Sequence, residues 1–246
     1  MGRTAALLIL VASLAAWFEA APHLHRLSLW QDVALVGIVL MPAFFALSWL
    51  ALPLRENRLL PVAVFALGAA AVGFGAAHLN VLSNFAKFGA LTLLGWLFLR
   101  LFEGLYLAVI VALVVPWIDA YSVWRGPTRA ITDHHPAVFT KLSIAFVVPN
   151  SPPARLGLPD VLFFSVFLAA SARFALRPFW TWFGMCAGLA ITIALTTYWS
   201  TGGLPALPAI SLGFLLPNVD LIWKQLRLEL AARRSSAVAI DRPPDD

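Results

Sequence analysis

Apolar residues in this chain are gathered into blocks of about 20, the length that carries an α-helix across a ~30 Å hydrocarbon core. Eight blocks stand out: Ala5 to Ala21, Trp30 to Leu52, Leu59 to Ala77, Val81 to Leu99, Gly104 to Val123, Leu156 to Ala172, Pro178 to Ser200 and Leu204 to Trp223. A helix satisfies its backbone groups within one segment, so the pattern predicts an all-α polytopic transmembrane helix bundle of about eight spans. The first block follows Arg3 and ends near Ala20 and Ala21, so it also fits a cleavable signal peptide. The fourth holds Lys87 close enough to one end to snorkel. Most joints are short, but residues 124–155 form a longer connection with Pro127, Pro136, Pro149, Pro152 and Pro153. After Trp223, KQLRLEL reads as an amphipathic extension and SSAVAIDRPPDD as a disordered tail.

Composition agrees with this reading. The 246 residues are 61% hydrophobic and 12% charged, and the mean hydropathy of +0.86 lies outside what a soluble domain can hide. Basic residues then orient the bundle. With a cytoplasmic N-terminus, the inside segments hold Arg3, Arg55, Arg58, Arg100, Arg173, Arg177, Lys224, Arg227, Arg233, Arg234 and Arg242. Outside lie Arg26, Arg125, Arg129, Lys141 and Arg155. This bias places both termini in the cytoplasm and makes the net charge of +5 a topology signal. No basic stripe interleaved with aromatics points to nucleic acid, and the single Cys186 gives no intramolecular disulfide.

Two acids fall inside apolar blocks: Asp119 in VVPWIDAYSVW and Asp160 in LGLPDVLFFS. A carboxylate at membrane depth costs at least ~2.5 to 3.5 kcal/mol on insertion scales, so such residues face a bundle interior or a wet cavity. Asp119 precedes Arg125 by six residues and Asp160 follows Arg155 by five, with the long loop between those arginines. At 1.5 Å per residue both acids sit roughly 7 to 9 Å inside one membrane face, on antiparallel helices that can bring them together. Two facing carboxylates cannot both ionise easily. The charged one can then take a proton from water while the protonated one polarises a peptide carbonyl. Pro116 and Pro159 loosen the helices beside them and give water a way in. Taken singly, each Asp also fits a helix-end acid, Asp160 being a first-turn residue favoured by the helix dipole.

A third segment, GGLPALPAISL at residues 202–212, opens the last block from the same face. The order IDAYSVW, GLPDVLFFSVFLAASA, LPALPAIS resembles the presenilin and signal peptide peptidase family of intramembrane aspartyl proteases, in a bacterial- or archaeal-like member. The likeness covers roughly residues 104–223 and the marks YD, GxGD and PAL. It implies that Asp119 and Asp160 are the catalytic pair. Gly157, Leu158 and Pro159, with Pro205, Ala206 and Leu207, would border the substrate. It also implies a loop orientation similar to that of signal peptide peptidase. Two departures stand out: Ile118 occupies the place of the family's tyrosine, and Pro159 that of the second glycine. Proline keeps the helix break but lacks an N–H and pushes Leu158 toward extended geometry. The family typically has nine spans against the eight counted here.

Other chemistries fit less well. No HExxH helix is present for zinc, and WSTGG at residues 199–203 does not match a rhomboid-type serine site. His23, His25, His78, His134 and His135 all fall on the outer side, where such pairs serve more often as polar interface residues than as metal ligands. Asn80, Ser83 and Asn84 add polar groups there without an assignable pattern. A proton-coupled transporter or a catalytically inactive relative is the alternative, since acids also line ion pathways. The reading is therefore of N-terminal transmembrane helices over 1–103, a catalytic region over 104–223 and a cytoplasmic tail over 224–246. Its substrate would be a transmembrane peptide or protein met in the lipid bilayer of a prokaryotic plasma membrane. No cofactor or metal is needed.

Overall fold

The computed structural model describes residues 2–126, 136–201 and 203–240. His134 and His135, in the long loop, and Gly202, ahead of the LPALP run, lie outside the described residues. All eight apolar blocks are helical for most of their length. They form α1 (Gly2–Ala20), α2 (Leu29–Ala34) running through a π-turn (Leu35–Leu40) into α3 (Met41–Ala51), α4 (Leu60–Ala76), α5 (Asn80–Leu99) and α6 (Leu105–Trp124). After the long loop come α7 (Pro136–Lys141), strands β1 (Ser143–Val148) and β2 (Ser151–Gly157), then α8 (Leu158–Arg173), α9 (Pro178–Tyr198), α10 (Leu207–Leu215) and α11 (Val219–Ile240). The protein is a mostly helical bundle, and five of its helical stretches are long and apolar enough to cross a membrane. Exposed Trp30, Trp124, Tyr198 and Trp199 gather at one set of helix ends, with Trp180 and Trp223 at the other, as aromatic side chains do at bilayer interfaces.

Helix α8 is the centre of the bundle. Val161, Phe164 and every residue from Val166 to Ala170 are fully buried, and α5, α6, α9 and α10 pack around it. Phe45 stacks on Phe164 at 3.8 Å between ring centroids, and Phe167 on Phe214 at 4.9 Å. Polar contacts thread the same core: the Ser48 hydroxyl lies 3.0 Å from that of Thr92, and Ser165 donates to Thr92 at 3.4 Å. Such bonds between helices replace water that a membrane interior cannot supply.

Small residues let α9 and α10 approach closely. Gly184 and Gly188 face Gly213 and Ala209; a Cβ on Gly184 would lie 2.9 Å from the Gly213 carbonyl oxygen, and one on Gly188 2.8 Å from that of Ala209. This is small-xxx-small packing, in which van der Waals contact between backbones replaces the missing hydrophobic drive. The seam ends at Asn218, which is fully buried. Its amide donates to Thr181 Oγ1 and to the Phe214 carbonyl, both at 2.7 Å, and its Oδ1 accepts the Arg177 N–H at 2.8 Å. Asn218→Leu should therefore destabilise the protein by about 2 to 4 kcal/mol, because it strands buried partners without acceptor or donor. Thermal melting in detergent reads this, and an unchanged midpoint would contradict it.

Three features depart from the sequence expectation. The connection 124–155 holds a hairpin, not only loop: β1 and β2 pair antiparallel around Pro149 and Asn150, where proline presets φ and Asn150 takes φ 44°. Ile144 and Phe146 of β1 are fully buried, so the hairpin belongs to the core. The last block breaks at Pro217, leaving α10 only nine residues long. The KQLRLEL extension is helical, and α11 continues beyond it through SSAVAI to Ile240, where a disordered tail was expected. Helix α11 is tied down because Glu229 Oε1 accepts the Leu105 N–H at 3.1 Å, filling one of the donors left free at the start of α6.

The free edge of β1 is occupied by side chains. Asn84 donates to the Ala145 carbonyl at 3.0 Å and accepts the Ala145 N–H at 2.8 Å, imitating a neighbouring strand. Lys87 Nζ donates to the Ser143 carbonyl at 2.8 Å, and the Trp17 indole to the Val147 carbonyl at 3.0 Å. Lys87 thus binds the hairpin instead of reaching for the interface. Among the described residues no strand lies along the far edge of β2.

Candidate active site

Asp160 is the third residue of α8, and its position follows from local sequence. Gly157 is the N-cap in extended conformation, Leu158 and Pro159 occupy the first two helical positions, and Asp160 Oδ2 reaches back to accept the Gly157 N–H at 3.1 Å. Gly157 has no side chain, so only this returning half of a capping box can form. Pro159 fits because the first four N–H groups of a helix have no intrahelical acceptor, so the one that proline lacks is not missed. The glycine leaves little room: a Cβ there would lie 3.0 Å from Asp160 Oδ2, a tight contact that would push the carboxylate. Asp160 is buried, with 9% of its surface exposed.

Asp119 lies near the end of α6, three residues after Pro116, which removes a helical hydrogen bond from the preceding turn. Its Oδ2 accepts the N–H of Leu207 at 3.0 Å. Ala206 is the N-cap of α10 and Leu207 its first residue, so Asp119 caps a helix distant in sequence. The LPALP segment is thereby fastened to one acid through its backbone. Pro205 stands beside Ala206, and its ring disfavours helical geometry at the preceding Leu204.

The helices that carry the two acids, α6 and α8, pack against each other, and both pack against α10. Neither acid is salt-bridged among the described residues. Each is held by backbone N–H groups at the N-terminus of a helix, Asp160 at α8 and Asp119 at α10, where the helix dipole favours negative charge. The structure thus joins Asp119 to Leu207, with Ala206 and Pro205 as its chain neighbours, and Asp160 to Gly157, with Leu158 and Pro159 between them. The first-turn position weighed for Asp160 alone is the one it occupies. Ile118 sits on the exposed face of α6, and Tyr121 beside it is exposed as well.

Neither a scan of protein-family models nor a search of curated proteins finds a match to this chain.

Sequence reasoning missed the contacts that frame the site. Arg155 of β2, five residues before Asp160, is held by the Thr140 carbonyl and the Ser143 hydroxyl, both at 3.2 Å. Burial lowers its proton affinity, yet an arginine keeps its charge in proteins, so a fixed cation stands at the entry to α8. The signal for the hairpin was present in SIAFVV, followed by a Pro-Asn turn, but Pro152 and Pro153 disguised the second strand. Among the described residues no group of three or more His, Cys, Asp or Glu side chains could hold a metal.

Proposed function

We propose that this protein is an intramembrane aspartyl protease of the presenilin and signal peptide peptidase type, spanning the membrane about eight times. The observation that carries this reading is the packing of α6, which bears Asp119, and α8, which bears Asp160, on each other and on α10, with the LPALP backbone hydrogen-bonded to Asp119. A lone interfacial acid needs no such partner, and a transporter has no need for a third segment anchored on one carboxylate.

In the proposed reaction the dyad shares one proton. The ionised acid removes a proton from water as that water attacks the scissile carbonyl carbon, while the protonated acid passes its proton to the carbonyl oxygen. A gem-diol intermediate forms. It collapses by breaking the C–N bond as a proton passes to the leaving nitrogen, giving a carboxylate and an amine. The pair titrates as one unit, so the acid and base roles belong to the dyad. No metal or cofactor takes part.

The substrate must present unwound backbone, because an intact helix hides its carbonyls. The far edge of β2, along which no described strand lies, suits this in its second half, beyond Pro152 and Pro153, since a strand edge pairs with extended peptide through main-chain hydrogen bonds. It leads directly through Gly157 into Asp160. Both termini lie in the cytoplasm, so cleavage occurs near the outer face of a prokaryotic plasma membrane. Gly157→Val tests the geometry. Its side chain would press on Asp160, and a displacement of about 1 Å can cost ~100-fold in rate. Cleavage of a labelled transmembrane peptide by the purified variant should fall by that order with KM little changed. Wild-type turnover in this variant would remove Gly157 from the site.

A further inference from the structure

A second site lies at the other end of α8. Arg173 follows Asp160 by thirteen residues, which places it roughly 20 Å along the helix axis from the carboxylates. There a cavity of about 340 Å³ is lined by Arg55, Glu56, Trp96, Leu99, Arg100 and Arg173. Three guanidinium groups against one carboxylate leave an excess of two positive charges. Glu56 is already engaged by Arg55 at 2.9 Å.

The arginines are fixed in place by backbone. Arg100 donates to the carbonyls of Arg55 at 3.0 Å and Asn57 at 2.7 Å, and Arg173 to that of Leu99 at 2.7 Å. A guanidinium carries five N–H donors, so each keeps several for a ligand, in a planar fork that matches phosphate oxygens. The wall adds an independent sign. Trp96 is 1% exposed, and its indole N–H has no acceptor among the described residues. Buried donors in native proteins are satisfied by protein, water or ligand. Beside the cavity, Leu54 and Leu101 are exposed next to Arg55 and Arg100, which gives acyl chains an apolar surface that a free anion would not use.

We propose that this cavity binds the phosphate of an anionic phospholipid headgroup. Basic pockets between transmembrane helices recognise such headgroups by charge and hydrogen-bond geometry. The assignment does not depend on the proteolytic reading of the distant carboxylates.

Native mass spectrometry of the full chain, delipidated in neutral detergent, tests this by titration with phosphatidylglycerol, phosphatidylcholine or inorganic phosphate. The wild type should retain one phosphatidylglycerol at least ten-fold better than phosphatidylcholine. Arg55→Gln combined with Arg173→Gln should abolish the preference, and Trp96→Phe should weaken it several-fold. If the double variant fails to fold, Arg55→Gln alone carries the test, since its guanidinium bonds only to Glu56 among the described residues. Equal retention of the two lipids, or preference preserved in the folded arginine variant, overturns the proposal. Displacement of phosphatidylglycerol by an equal concentration of inorganic phosphate would show a free-phosphate site instead and overturn the lipid assignment.

Discussion

Asp119→Asn and Asp160→Asn should each lower cleavage of a transmembrane peptide by about 10²- to 10⁴-fold, the contribution of a positioned general acid or base. Asparagine is the informative substitution. Its side-chain carbonyl can still accept the Leu207 N–H at position 119 and the Gly157 N–H at position 160, so both helix caps survive while proton transfer does not. Melting temperatures should therefore stay near wild type. Alanine at position 119 removes the cap of α10 as well and should cost about 1 kcal/mol of stability in addition. Full activity in either asparagine variant would rule out a shared dyad. If the wild type cleaves no member of a broad panel of transmembrane peptides, the transporter or inactive-relative reading takes precedence. Proton-coupled flux in proteoliposomes would then be the next measurement.

The second large effect is structural. Gly213→Leu should destabilise the protein by about 3 kcal/mol, at the upper end for overpacking, because even a Cβ at this position would lie 2.5 Å from the Gly184 carbonyl carbon. Backbone stands opposite backbone there, so no side chain can rotate away. The two helices must separate, and the separation reaches the site: Leu207, which donates to Asp119, lies six residues earlier on α10, about 9 Å along its axis. Loss of proteolysis should thus accompany a lowered melting temperature, although position 213 touches neither acid. Gly68→Leu provides the control. No atom lies within 4 Å of a Cβ at that position, so stability and activity should both be retained. A Gly213→Leu variant as stable as wild type would show that the α9–α10 seam is looser than its geometry indicates.

The lipid site and the carboxylates share one mechanical element. Helix α8 carries Asp160 at its first turn and Arg173 at its last, and its central residues are buried on all sides. Such a helix cannot tilt at one end without repacking Phe164 and Phe167 against Phe45 and Phe214.

Much of the candidate site was legible in the chain because acids inside apolar runs are costly enough to stand out. Asp119 and Asp160 were singled out that way, each in an apolar block that is helical in the structure. The close backbone contact of Gly157 with Asp160 was not legible, nor was the bond from Leu207 to Asp119, since both depend on where one helix start meets another carboxylate. Asn84 was visible as a polar residue without an assignable pattern, and Lys87 was read as snorkelling. Their partners are backbone groups of β1 more than fifty residues away, and backbone leaves no mark in sequence.

The sequence by itself determined the helical bundle, its approximate segment boundaries and the two acids, because hydropathy and helix length act locally and sum over about 20 residues. Tertiary structure alone decided that α8 is central, that a proline-disguised hairpin enters the core, that α10 stops at Pro217, and that Asp119 caps it. Those outcomes rest on contacts between distant segments, whose energies depend on backbone approach and unsatisfied hydrogen bonds and not on any residue's own preference.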